Sequence, residues 1–235
     1  MATDRSGQLV KLSTGEVIAT LSDAQMQTLV NNIERESVKD TNFYITPETV
    51  NQLRNQGAGE IADLLATALG DAQEMQVGYA PVLNAGSGSV RGVLLALDTQ
   101  MPLTGYKVEA YDEDLVEDDL LGWCYVNAQG KFEFRFTEAS FKSPGPLDLE
   151  GDPDVKLRIA DVDGDEAGWT GVMSTMQADF GRVYVSAAGK VIAPVLDPGA
   201  AAICPACGTL FSAGTSTCSD CDVPVRPLGA ARPML

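Results

Sequence analysis

Lys131-Phe132-Glu133-Phe134-Arg135-Phe136 decides the fold. Rings and charges take turns along this stretch, so at the two-residue period of a strand every ring falls on one face and every charge on the other. A helix would scatter the rings around its circumference. A strand with one dry and one wet face needs a second layer to cover its rings, which points to two packed sheets.

Segments of the same texture lie on both sides. Val93–Leu97, Tyr106–Tyr111, Gly122–Asn127, Val155–Ala160 and Gly181–Val185 are short and rich in β-branched or aromatic residues. Turn signals stand between them at Pro102-Leu-Thr-Gly105, Asn127-Ala-Gln-Gly130 and Asp163-Gly164. The pattern predicts an antiparallel β-sandwich over residues 90–197, with Val191-Ile-Ala193 as its last strand. Ala167–Phe180, carrying Trp169, Met173 and Met176, is less regular and reads as an insertion packed against another domain or another chain. Cys124 lies in the apolar strand and reads as a buried, inert thiol.

The ordered string Pro102-Leu-Thr-Gly-Tyr-Lys-Val-Glu-Ala-Tyr-Asp-Glu-Asp114, Asp118-Asp-Leu-Leu-Gly122, Gly130-Lys-Phe-Glu-Phe134, Phe141, Pro153-Asp154 and Leu157-Arg-Ile-Ala-Asp161 resembles the transthyretin-like, or prealbumin-type, sandwich. That resemblance implies a fold and hardly any activity, because the group also includes carboxypeptidase regulatory domains and nematode secreted relatives. Two enzymes on related sandwiches, the hydroxyisourate hydrolase and the intradiol ring-cleaving dioxygenases, depend on histidine for catalysis or iron ligation. This chain has none. The same absence removes a Ser-His-Asp triad and a Cys-His pair, leaving an enzyme only carboxylate chemistry, and no aromatic-lined cleft is evident beside the acids. The chain is read as non-enzymatic.

Residues 1–80 predict a small α+β domain. Gln8–Leu12 and Glu16–Thr20 form a hairpin across Ser13-Thr14-Gly15. Ser22 and Gln25 make a capping box ahead of Met26, Leu29, Val30 and Ile33 on one helical face. Thr46-Pro47 opens a second helix that buries Val50 and Leu53, and Ile61, Leu64, Leu65 and Ala68 define a third that Gly70 stops. Met75, Val77 and Tyr79 alternate like a closing strand. Residues 81–89 have linker composition, rich in Gly and Ser.

Near the C-terminus, Cys204-Pro205-Ala206-Cys207 is followed after ten residues by Cys218-Ser219-Asp220-Cys221. Two C-x-x-C turns on neighbouring hairpins can aim four thiolates at one point, and the segment 198–226 resembles a zinc ribbon. Four protein ligands would leave no open position for water or substrate, so the site is read as structural zinc. A rubredoxin-like iron, a pair of disulfides and a redox dithiol are the alternatives. Residues 227–235 form an extended, proline-bearing tail.

The net charge is −17, and Glu109–Glu166 holds 17 acids against 5 bases. A field of that sign repels phosphate backbones, and no Lys or Arg stands between Cys204 and Cys221, which argues against nucleic acid as a partner. Two acidic loops, Asp112, Asp114, Asp118 and Asp119 in one and Asp161, Asp163, Asp165 and Glu166 in the other, would make a calcium cup if they met at one rim. The first is similar to the third calcium loop of calcium-dependent membrane-targeting sandwiches, one residue shorter. The competing reading is a solvated rim whose aspartates satisfy turn amides. No stretch of eighteen apolar residues and no signal-like start occurs, so no integral membrane segment is expected and the cytoplasm is the expected compartment. The combined expectation is a mainly β structural or adaptor protein, acting through protein partners or as a homo-oligomer. A calcium-dependent module for a glycan, lipid headgroup or protein is its rival.

Overall fold

The structure is a computed structural model that describes residues 6–33, 42–82, 86–114, 118–141 and 151–228. Positions 83–85 of the expected linker and 229–235 of the expected tail lie outside the described residues. The fold is mainly β.

The N-terminal part is a four-stranded antiparallel sheet of β1 (Gly7–Lys11), β2 (Glu16–Leu21), β3 (Asn42–Ile45) and β4 (Met75–Pro81), in the order β2-β1-β4-β3. Helices α1 (Asp23–Asn32), α2 (Pro47–Asn55) and α3 (Gly59–Leu69) bury Met26, Leu29, Val50, Leu53, Ile61 and Leu65 against Leu9, Phe43, Ile45 and Val77. The capping boxes form at Ser22 with Gln25 and at Thr46 with Thr49. Gly57 at φ +85° ends α2, with Ala58 N–H on the Leu53 carbonyl and Gly57 N–H on that of Arg54, the Schellman pattern. Two expectations are corrected. Ile33 caps α1 in an extended conformation, and Leu64 points outward, because α3 turns Ile61, Ala62, Leu65 and Leu69 to the core.

Two further sheets face each other. One holds β6 (Lys107–Asp112), β7 (Asp119–Tyr125), β9 (Asp154–Ala160), β10 (Glu166–Trp169) and β11 (Met173–Ser174), ordered β10-β9-β6-β7 with β11 also on β9. The other holds β5 (Gly88–Ala96), β8 (Lys131–Phe136), β12 (Gln177–Val185) and β13 (Val191–Ile192), ordered β13-β12-β5-β8. Phe132, Phe134 and Phe136 turn inward to meet Val108, Leu157, Ile159, Phe180 and Val183, while Lys131, Glu133 and Arg135 stay exposed. The pairing is not wholly antiparallel as expected: β12 runs parallel to β5. The chain leaves β5 at Ala96, returns to one flank as β8 after β6 and β7, and crosses the opposite sheet again before entering the other flank as β12, beside the start of β5. The irregular stretch Ala167–Phe180 resolves into β10, β11 and the start of β12. Gly168, at φ +140° beside a register shift, hides the period-2 pattern there.

A third small sheet, β14 (Ala202–Ile203), β15 (Leu210–Phe211) and β16 (Arg226–Pro227), is ordered β15-β14-β16. It carries the cysteines. The face of the N-terminal sheet away from its helices packs on the sandwich through Val10, Leu12, Ala80, Tyr125 and Trp123. Gly78 is required there, since a Cβ would stand 2.3 Å from the Tyr125 ring.

Leu157, fully shielded at the centre of the sandwich, sets the scale of core packing. Leu157→Ala is expected to lower unfolding free energy by about 2–5 kcal/mol, read from the urea midpoint at constant slope.

Candidate metal centre

The site is built from two matching turns. In the first, Cys204 N–H donates to the Thr209 carbonyl (2.9 Å), and Gly208 N–H returns to the Cys204 carbonyl (2.9 Å). In the second, Cys218 N–H donates to the Val223 carbonyl (2.9 Å), and Asp222 N–H returns to the Cys218 carbonyl (3.0 Å). The fifth residue of each takes positive φ, +74° at Gly208 and +52° at Asp222, the residue types that tolerate it best. Proline at 205 and glycine at 208 pre-set the first turn. The second has Asp222 at the matching positive-φ position.

These turns bring the Sγ atoms of Cys204, Cys207, Cys218 and Cys221 all within 4.8 Å of one another, and no disulfide joins them. Cys207 and Cys218 Sγ are 3.8 Å apart. A tetrahedron with metal–sulfur bonds of about 2.3 Å has edges of about 3.8 Å, whereas a disulfide would need about 2.05 Å. The donor set therefore fits a closed tetrathiolate site. Cys204 and Cys218 are buried and Cys207 and Cys221 half-buried, so two ligands anchor the site and two face outward.

The sulfurs also receive hydrogen bonds. Cys207 N–H approaches Cys204 Sγ at 3.5 Å, and Thr209 Oγ1 lies 3.1 Å from Cys207 Sγ. Hydrogen bonding from Thr209 holds the Cys207 thiol down at about 6. Cys221, tied to the Cys207 sulfur by a hydrogen bond, is pushed up to about 12, and desolvation raises Cys218. Cys124 is separate from this group. Burial pushes its thiol up to about 12, so it is a neutral, poor nucleophile.

The acidic loops do not converge. β6 pairs with β9 in the register Lys107↔Ala160 to Asp112↔Val155, which puts Asp112 and Asp161 at opposite ends of the sheet. Six residue steps along β9 separate them, about 20 Å. The expected two-loop calcium cup is corrected on that ground. Asp161 Oδ1 accepts the N–H groups of Asp163 and Asp165 at 3.0 and 2.9 Å, which is turn structure. At the other end Asp112 Oδ1 accepts Asp154 N–H, Asp118 accepts Asp114 N–H and pairs with Lys156 at 2.8 Å, and Asp119 sits opposite Asp112 on β7. Lys156 already supplies the cation. Burial, followed by neighbouring carboxylates, raises the Asp112 pKa, and Lys156 lowers that of Asp118.

Sequence reasoning missed one cluster. Outward positions of β6 and β9 form a charged chain in which Glu109, itself buried, meets Lys107 at 2.8 Å and Arg158 at 2.7 Å, and Arg158 meets Glu166 at 2.8 Å. Both tryptophans flank it, Trp123 beneath Lys107 and Trp169 beneath Lys156. The signal was the shared outward phase of Lys107, Glu109 and Tyr111 with Lys156 and Arg158. Lys107, Glu109, Arg158 and Glu166 each have a partner, so the cluster secures the sheet rather than presenting a free reactive group. A cleft of about 300 Å³ between the N-terminal sheet and the sandwich is lined by Val10, Val17, Ala80, Cys124, Lys131 and Phe134.

No protein-family model matches the chain, and no curated protein matches it. Among solved structures it is similar to a 9R-lipoxygenase from Cyanothece PCC8801, at 18% identity and a TM-score of 0.35, over 69% of this chain and 24% of that one. The chain spans about a quarter of that protein's length, and so distant a likeness carries no argument. No described helix is long and apolar enough to cross a membrane.

Two outcomes follow. Metal uptake at neutral pH should release protons, those of Cys221 and Cys218 among them, while Cys207 adds its own only as pH falls towards about 6. Affinity should therefore weaken as pH is lowered, more steeply below that point, as measured by titration calorimetry in buffers of different ionisation enthalpy. The raised Asp112 pKa means that its ionised form costs stability above the unfolded-state value. Asp112→Asn, which keeps the acceptor for Asp154, should raise the melting temperature at neutral pH and lose that advantage in acid.

Proposed function

We propose that this protein is a non-enzymatic structural or adaptor component of a protein assembly, with a structural zinc ion held by Cys204, Cys207, Cys218 and Cys221. The observation that carries the reading is the closed set of four thiols within 4.8 Å on two matching turns. Zinc is favoured over iron because a closed, redox-silent tetrathiolate needs only to cross-link the chain. When bound, the ion would supply that cross-link. The chain's own part is to fix the sulfurs with knuckle amides and Thr209 and to dock the turns on the sandwich.

The two-sheet core around Phe132, Phe134 and Phe136 supports the prealbumin-type resemblance of the central region.

Native mass spectrometry tests the proposal. One zinc per chain in an oligomer, or in a complex recovered with a protein partner, is the expected result. A metal-free, strictly monomeric chain overturns it. Cys204→Ser with Cys218→Ser should abolish metal binding and lower the melting temperature, leaving the strand signal of the sandwich in place.

A further inference from the structure

The sheet β13-β12-β5-β8 is apolar on both faces at one end. Leu94, Val183 and Val185 point into the sandwich core. Strand alternation turns Leu95 and Tyr184 the opposite way, yet Tyr184 is only 1% exposed, as is Leu97, and Ile192 is 6% exposed. Ile203, Leu210 and Leu228 of the cysteine-bearing sheet cover them. These residues are not a core of the small sheet alone, because their packing partners are the sandwich's own side chains.

The cover is joined to the sandwich at the metal turn. Gly208 lies so close to Ile192 that a Cβ would stand 2.5 Å from its Cδ1 and 3.3 Å from Leu97. Arg226 Nη1 donates to the carbonyls of Leu97 and Asp98. The sheet itself has three strands of two residues each. Such a segment has too little apolar surface to fold unaided, so its order must come from docking on the sandwich and from metal binding.

We propose that the cysteine-bearing sheet is a metal-locked cover. With the ion bound it shields Leu95, Leu97, Tyr184 and Ile192 on the outer face of the sandwich, and with the ion removed it releases them while the sandwich core stays closed. This inference rests on the reading of the four cysteines as a metal site.

Hydroxyl-radical footprinting of the full-length protein, before and after treatment with EDTA, tests it, with metal content measured on the same samples. Tyr184 oxidation is expected to rise at least about tenfold on metal removal, as for a local opening, with Phe132, Phe134 and Phe136 unchanged. Ile203→Asp, which keeps all four cysteines, should expose Tyr184 with one metal per chain still bound, and it decides the matter if the chelated protein precipitates. One metal per chain whose removal leaves Tyr184 protected would overturn the cover while the metal site stands. A chain that never binds metal and yet protects Tyr184 would overturn both.

Discussion

The parallel pairing of β12 with β5 holds the molecule together, because at their C-terminal ends these two strands are apolar on both faces. A sheet strand usually buries one side and wets the other. Here Phe180, Val183 and Leu94 fill the sandwich, while Tyr184 and Leu95 need a second cover on the far side. Once that pairing is made, the chain has committed two layers of apolar surface, and the C-terminal segment becomes a structural necessity.

The remaining boundaries of the sandwich are closed by the same logic. β7 has β6 on one side only, and its other side meets β4, where the Trp123 indole N–H reaches the Tyr79 carbonyl at 3.5 Å. Gly105, at φ +77°, lets the Pro102–Gly105 turn touch the Leu12 carbonyl. Asn42 and Gln76 both donate to the Val162 carbonyl, at 3.1 and 3.0 Å, so the N-terminal sheet also grips the turn after β9. On the opposite flank β10 and β13 meet through Gly168 and Val191. Exposed strand edges invite pairing with other chains, and in this molecule neighbouring parts of the chain cover several of them.

What the sequence made legible follows from the length of its signals. Phe132, Phe134 and Phe136 state their phase over three repeats, and β8 has the bounds that alternation implies. Ser22, Thr46 and Gly70 mark helix ends by local chemistry alone, and those ends are where expected. The four cysteines meet because each C-x-x-C turn is a local geometry and the two hairpins are adjacent. The acidic loops were misplaced because convergence depends on strand register, a long-range property that no local pattern carries. Glu109 and Arg158 were missed for the same reason, since their contact exists only across the β6–β9 pairing. The parallel direction of β12 is likewise a fact of chain path, not of composition.

The strands that define the apolar outer face are made long before what covers it. β5 begins at Gly88, β12 ends at Val185, and the covering strands run from Ala202 to Pro227. A nascent chain emerging from the ribosome can close the sandwich as soon as β12 appears, yet Tyr184 then waits in water until the last cysteine has left the exit tunnel. For that interval Tyr184 and Ile192 lie open to contact with other chains.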